Sequence, residues 1–387
     1  MSQLKLAQKM TDLGTETAFE VLAKAKALEA QGRDIIHLEI GEPDFDTPQN
    51  IKDAAIKALR EGKTHYGPSA GLMETREAFA RYISEDRGVD VRPEQIVVTP
   101  GAKPIIFFTA LALLDPGDEA IYPNPGFPIY ESMINFTGAK AVPLPLEEKH
   151  GFACTPEKLD ELVTDKTKLV IINSPQNPTG GVLPDEVLDH LAELAVKNDF
   201  FVLTDEIYSK IVYDGKFSSL YTRPGMPERT VILDGHSKTY AMTGWRLGFG
   251  VFPEFMAEKV AKLQTNSTSC TATFTQIAGI EALFGPQDEP RKMVEEFRAR
   301  RDLIVDGLNE LPGFKCHKPA GAFYVFPNIT GTGKTSKEME TFLMHEAGVA
   351  ALAGTSFGAY GEGYLRLSYA NSRENIKKAL DKMANVL

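Results

Sequence analysis

The sequence predicts an α/β protein, a large domain built on a mostly parallel seven-stranded sheet covered by helices, with a smaller α+β domain beside it. Three observations predict this. Seven short apolar runs alternate with amphipathic segments through the middle of the chain. Many of the runs are continuously apolar rather than alternating, as in strands buried on both faces of a parallel sheet. The length, 387 residues, exceeds what one ordinary core holds.

Taken in order, the first pattern is helical, "AFEVLAKAKALEAQG", followed by a short strand, "IIHLEIG" (Ile35 to Gly41), and a Pro/Asp-rich loop, "EPDFDTP". Helical stretches such as "NIKDAAIKALREG" and "METREAFARYISEDRG" come next. The sheet runs are "QIVVTPG", "DEAIYPN", "KAVPLPL", "KLVIINSP", "DFFVLTDE", "TVILDG" and "RLGFGVF". "PIIFFTALALL" (Pro104 to Leu114) is too short to cross a bilayer and reads as a buried helix. Near residue 285 the character changes. "PRKMVEEFRARRDLIVDGLNEL" (Pro290 to Leu311) is a long charged helix with Val294, Phe297, Ile304, Leu308 and Leu311 on one face. Two strands, "AFYVFP" and "YLRLSYA", lie behind it. The expected division is therefore a large domain at 46–284 and a small one made of 1–45 with 285–387.

The formal net charge of −11 argues against non-specific nucleic-acid binding but leaves room for an anionic ligand at a local positive site. The three cysteines form no CxxC and give no disulfide framework, which suits a reducing cytoplasm. The seven histidines show no metal-ligand spacing, so no metal site is expected. "MSQLKLAQKMTDLG" lacks the apolar stretch of a signal peptide, so a cytoplasmic protein with no membrane segment is expected.

In doubly wound sheets, ligands bind beyond the carboxyl ends of the strands. Those ends here carry Gly101-Ala102-Lys103, Asn124 to Phe127, Ser174 to Gly180, Asp205 with Tyr208, and Ser237 with Lys238. Arg246 follows shortly after. A lysine amine condenses with carbonyls. A carboxylate facing a pyridine nitrogen keeps it protonated. A helix N-terminus, a hydroxyl and an arginine suit a phosphate, and an aromatic suits a flat ring. That inventory describes a pyridoxal-phosphate site. Lys238 alone would also fit a surface lysine, but Ser237, Asp205 and Arg246 in register argue against it. Glu206 reads as structural.

"SPQNPTG", "TDEIY", "SKTYAMTGWRLG" and "LRLSYA" resemble the signature segments of the class I aminotransferases, fold type I enzymes dependent on pyridoxal 5'-phosphate. "GEPDFDTP", "THYGPSAGL" and "TPGAK" fit the same family, in the family's order from about residue 30 to residue 370. The resemblance implies that Lys238 carries the cofactor and acts as the base at the substrate α-carbon, its pKa brought toward neutrality. It implies that Asp205 faces the pyridine nitrogen, that Tyr208 and Asn177 donate to the ring's phenolic oxygen, and that Phe127 stacks on the ring. The phosphate would be held by the backbone at Ala102 and Lys103, by Ser237 and Arg246, and by Tyr66 of a neighbouring subunit, hence a homodimer with shared sites. Arg366 would grip the substrate α-carboxylate, helped by Asn177 and the backbone at Gly41. The implied reaction moves an amino group from an L-amino acid to a 2-oxo acid with ping-pong kinetics.

Some alternatives stay open at this point. "HYG" around Tyr66 also fits an ordinary loop. Asn177 also fits a turn former, and a cis Asn177–Pro178 bond is expected there. Pro104 stands where relatives carry a residue with an N–H, which removes one donor from that helix end. A β-lyase, decarboxylase or cyclopropane-forming synthase would use the same cofactor motifs. A regulator built on an aminotransferase-like domain would need a DNA-binding domain for which the N-terminus leaves no room. A dicarboxylate substrate would need a second cation, and none is placed. Glu20, in the N-terminal segment, would disfavour dicarboxylates if it approached the substrate. "GTGKTS" (Gly331 to Ser336) mimics the end of a phosphate-binding loop but lacks its first glycine, since position 328 is Asn328, and reads as an exposed loop.

Overall fold

The structure, a computed structural model, describes residues 6–387. Helix α1 (Ala18–Glu29) buries Val21 and Ala25, and β1 (Ile36–His37) is short. Past the Pro/Asp-rich loop, α2 (Gln49–Arg60) and α3 (Met73–Arg87) follow; α3 stops at Gly88, whose left-handed φ of 67° and N–H bond to Ser84 close the helix end. Then the alternation begins: β2 (Ile96–Thr99), α4 (Lys103–Leu113), β3 (Glu119–Asn124), α5 (Ile129–Thr137), β4 (Lys140–Pro145), α6 (Pro156–Leu162), β5 (Thr167–Asn173), α7 (Asp185–Asn198), β6 (Phe201–Asp205), β7 (Thr230–Gly235) and β8 (Gly248–Val251).

All seven apolar runs are strands of one sheet, in the order β2-β8-β7-β6-β5-β3-β4. The pairs from β7 through β4 are parallel, while β8 runs antiparallel to both β7 and β2. Helices on both faces explain the unbroken apolar sequence: every residue of β2, β3, β7 and β8 is buried. The edge strand β4 is the exposed one, and it tolerates Pro143 and Pro145 because an edge needs fewer ladder donors. Helix α4 is the buried helix expected at residues 104–114, with Ile105, Ile106, Phe108 and Ala110 inside.

Beyond the sheet come α8 (Glu254–Thr268), α9 (Thr273–Phe284) and α10 (Asp288–Glu310). Helix α10 buries Met293, Phe297, Ile304 and Leu308, with Val294 only half-buried at the edge of that face. It also buries two arginines that the apolar pattern hides. Arg300 pairs with Asp44 at 2.6 Å and Arg301 with Asp302 at 2.9 Å, so neither charge is left alone. The strands β9 (Tyr324–Val325), β11 (Leu352–Ala353) and β12 (Leu365–Ser368) form an antiparallel sheet in the order β11-β12-β9; α11 (Ser336–Phe342) and β10 (Val349–Ala350) precede β11, and α12 (Arg373–Ala384) ends the fold. β10 pairs in parallel with β1, which stitches the N-terminal segment to the C-terminal part.

The "GTGKTS" run passes into α11 rather than staying wholly in a loop. Thr335 caps that helix and Glu338 reaches back to its N–H at 2.9 Å, so the helix end is already closed by the chain itself. Among the described residues no helix is long and apolar enough to cross a membrane, and no cluster of His, Cys, Asp or Glu suits a metal ion.

Candidate active site

Gly248, the first residue of β8, pairs with both Thr99 at the end of β2 and Gly235 at the end of β7. The start of β8 therefore meets the carboxyl ends of the parallel strands along one sheet edge. A cavity of about 360 Å³ opens there.

Strand β6 delivers Asp205. Its carboxylate accepts from the Tyr130 hydroxyl at 2.6 Å and from the Ile207 N–H at 3.2 Å. Burial nevertheless pushes its pKa up to about 6, with the Tyr130 hydroxyl opposing. No cation pairs with it among the described residues. Glu206, the next residue, turns the other way and accepts from Arg87 Nε at 3.0 Å, and Arg87 Nη2 lies 3.6 Å from Asp234. Glu206 thus sits in a buried ion network, in keeping with its structural reading.

Just past β7, Ser237 and Lys238 face the cavity. Lys238 Nζ donates to the Gly41 carbonyl at 2.6 Å. Burial draws its pKa down to about 8; the Glu42 carboxylate resists and the Arg366 guanidinium assists. Gly41 has no room for a side chain, because a Cβ there would stand 2.1 Å from the Tyr324 hydroxyl oxygen. That hydroxyl bonds the Tyr208 hydroxyl at 2.8 Å, and burial raises both phenols.

Past β5, Asn173 pins the loop "SPQNPTG": its Nδ2 donates to the carbonyls of Pro175 at 3.1 Å and Asp205 at 3.0 Å, and its Oδ1 accepts from the Asn177 N–H at 2.9 Å. The Asn177–Pro178 bond is cis, as are Asn124–Pro125 and Ser174–Pro175. Asn177 Oδ1 accepts from Arg366 Nη1 at 3.3 Å. Arg366 lies buried on β12, donates to the Glu39 carbonyl through Nη2, and keeps an Nε with no partner. The rings of Tyr324 and Phe357 lie 4.6 Å and 4.9 Å from its guanidinium carbon.

At the other wall, α4 begins with Ala102 as its cap and Pro104 in its first turn. Gly101 (φ +89°) allows Arg246 to lie close: a Cβ on Gly101 would meet Arg246 Nη2 at 2.2 Å. Arg246 itself sits in the left-handed region at φ 53°, which costs a non-glycine residue about 1 kcal/mol. Its Nη1 donates to the Thr243 carbonyl at 2.7 Å. Phe127 is half-buried and packs edge-to-face on Tyr130, 5.7 Å between centroids.

The cavity thus gathers Lys238, Asp205, Tyr208, Asn177, Phe127, Ala102, Lys103, Ser237, Arg246, Arg366 and Gly41. Tyr66 stands apart, 90% exposed. Glu20 is exposed on α1 and does not line the cavity; Glu16 and Glu42 do. The sequence reading missed Tyr130, Asn173 and Tyr324. Tyr130 and Tyr324 sit inside apolar patterns that look like plain core.

A sheet-edge cavity with a low-pKa amine, an unpaired buried carboxylate and a guanidinium holding a spare donor defines an enzyme that works on small carboxylates by amine chemistry. The chain belongs to the class I and II aminotransferases, whose family model matches residues 33–383, and it is a transaminase of that pyridoxal-phosphate-dependent family. It is 44% identical over 362 residues to an aspartate aminotransferase of Pyrococcus abyssi, covering 92% of each chain. It is 43% identical over 366 residues to aromatic-amino-acid aminotransferase 2 of Thermococcus litoralis, covering 92% of this chain and 93% of that one. Its fold superposes on the aspartate aminotransferase of Thermus thermophilus solved with maleate, with a TM-score of 0.94, 40% identity and full coverage of both chains.

Proposed function

We propose that this cavity binds pyridoxal 5'-phosphate and moves an amino group from an L-amino acid to a 2-oxo acid in two half-reactions. The observation that carries the reading is Asp205, a buried carboxylate hydrogen-bonded by Tyr130 and Ile207 yet lacking a cation among the described residues. A protonated ring nitrogen is the partner such a group calls for, so the residues present fit the cofactor. When bound, the cofactor supplies a carbonyl carbon that condenses with amines and a ring that spreads the electron pair left at the substrate α-carbon.

The chain's own groups do the rest. Lys238 Nζ anchors the cofactor and then moves the proton at the α-carbon. Burial, which draws its pKa down to about 8, leaves far more of it as the free base near neutral pH than an ordinary lysine keeps. Asp205 holds the proton on the ring nitrogen. Tyr208 and Asn177 donate toward the phenolic oxygen, and Phe127 supports the ring. Arg246, Ser237 and the amides at Ala102 and Lys103 take the phosphate. Arg366 offers its charge and its spare Nε to the α-carboxylate, beside the Nη1 that it gives to Asn177.

A homodimer is part of the proposal, with Tyr66 of each chain reaching the other's phosphate; its exposure on the single chain supports that, and sedimentation should give twice the chain mass. The three free cysteines support a reducing, cytoplasmic setting.

The deciding experiment assays the cofactor-loaded protein with a panel of L-amino donors and with pyruvate or 2-oxoglutarate as acceptor. Beyond one equivalent per site, product should form only when an acceptor is present, one amino group moved per 2-oxo acid released. Ammonia release without an acceptor would replace transamination by lyase chemistry. Arg366→Gln should raise KM for every amino donor by about 100-fold while changing kcat far less, since it removes a charge-assisted contact made alike in ground and transition states. Steady-state kinetics with two donors of different side chain checks it.

A further inference from the structure

The proposed roles account for most of the charge in the cavity. Lys238 takes the cofactor, Arg246 its phosphate, Arg366 the substrate α-carboxylate and Asp205 the ring nitrogen. The side chains of Lys103, Glu16 and Glu42 are left over, and all three line the cavity. Lys103 is the second cation that a dicarboxylate would require. It is already engaged: its Nζ donates to Glu16 Oε1 as an ion pair. Glu42 adds a second carboxylate, held by the Thr243 hydroxyl. The space offered to a substrate side chain therefore presents one ammonium against two carboxylates. Its remaining surface includes Ala18, Phe19, Ile40 and Ile106, and Phe19 is 63% exposed at the mouth.

We propose that Glu16 sets the substrate class of this transaminase: by pairing with Lys103 it withholds that ammonium from a substrate's distal carboxylate, so the cavity prefers L-amino acids with neutral, largely apolar side chains over dicarboxylic ones. The inference rests on the transaminase reading of the cavity. The physical reason is selectivity by repulsion. A second carboxylate entering here meets a cation whose charge is already balanced and a further anion at Glu42, and gains nothing for losing its water. A neutral side chain meets no such penalty and covers Phe19. Glu16 lies in the loop before α1 and is not the residue at that helix's cap.

The test measures equilibrium binding of two unreactive acids to the cofactor-loaded enzyme by calorimetry, succinate as the dicarboxylate and 3-phenylpropanoate as the monocarboxylate. The readout is the ratio of their Kd values. Glu16→Gln should move the ratio about tenfold toward succinate. Adding Lys103→Gln to that variant should return the ratio. Lys103→Gln alone should move the ratio away from succinate, because Glu16 is then unpaired; this variant keeps the proposal testable should Glu16→Gln fold poorly. A shift in Glu16→Gln below about threefold, or one that persists in the double variant, overturns the assignment of Glu16. A wild-type holoenzyme that binds neither acid overturns the transaminase reading as well, so the two failures are distinct.

Discussion

Lys238→Ala is expected to lower turnover by at least about 10⁴-fold while leaving the fold in place. Two losses combine. A positioned base is worth up to about 10⁴-fold on its own, and the anchoring amine goes with it. No other amine lining the cavity takes its place: Lys103 is tied to Glu16. The fold should survive because the lysine's hydrogen bond is a single one, to the Gly41 carbonyl, and the side chain faces a cavity rather than a packed core. Truncation there opens space to solvent and leaves no dry void of the kind that makes core truncations costly. Stopped-flow assay of both half-reactions with thermal unfolding of the same sample checks the pair of claims. A Lys238→Ala protein within tenfold of wild type would end the assignment.

How much of this was readable in advance follows from burial. The inner strands announce themselves because a sheet covered on both faces admits mostly apolar residues, and the polar groups of the site appear where a strand ends. That same rule marked Asp205, Asn177 and Lys238. Arg366 was legible as an arginine inside an apolar strand, a placement that demands a partner. The two-residue strands β10 and β11 were not legible, since "VAALA" carries too few residues to show a period. Tyr130 is hidden for another reason: one aromatic near the start of a helix looks like core until β6 brings Asp205 to its hydroxyl, 75 positions away in sequence. The pair of Glu16 with Lys103 spans 87 positions, so no local pattern predicts it, and the acidic residue singled out instead, Glu20, points to solvent.

Asp205→Asn is expected to act in opposite directions on activity and stability. Turnover should fall about 10³-fold, since an amide no longer holds the proton on the ring nitrogen. The cofactor-free protein should become more stable at neutral pH. The sign follows from the pKa, which burial raises from the unfolded value of 3.8 to about 6. Between those values the folded state binds more protons than the unfolded one, so wild-type stability declines as pH climbs through this window. Above pH 6 the whole cost of an ionised, buried, cation-less carboxylate is present; below pH 4 none of it is. An amide carries no such charge cost at any pH, and its oxygen still accepts from the Ile207 N–H. The gain should approach about 3 kcal/mol at pH 7 and fall to a small fraction of that by pH 4, as read by urea unfolding of the cofactor-free protein across that range. Adding pyridoxal 5'-phosphate should reverse the order, because only the wild type gains an ion pair on binding. An equal stability difference at pH 4 and pH 7 would mean that shape, not charge, governs the site. A carboxylate that weakens the empty fold and strengthens the loaded one is kept ionised for its ligand.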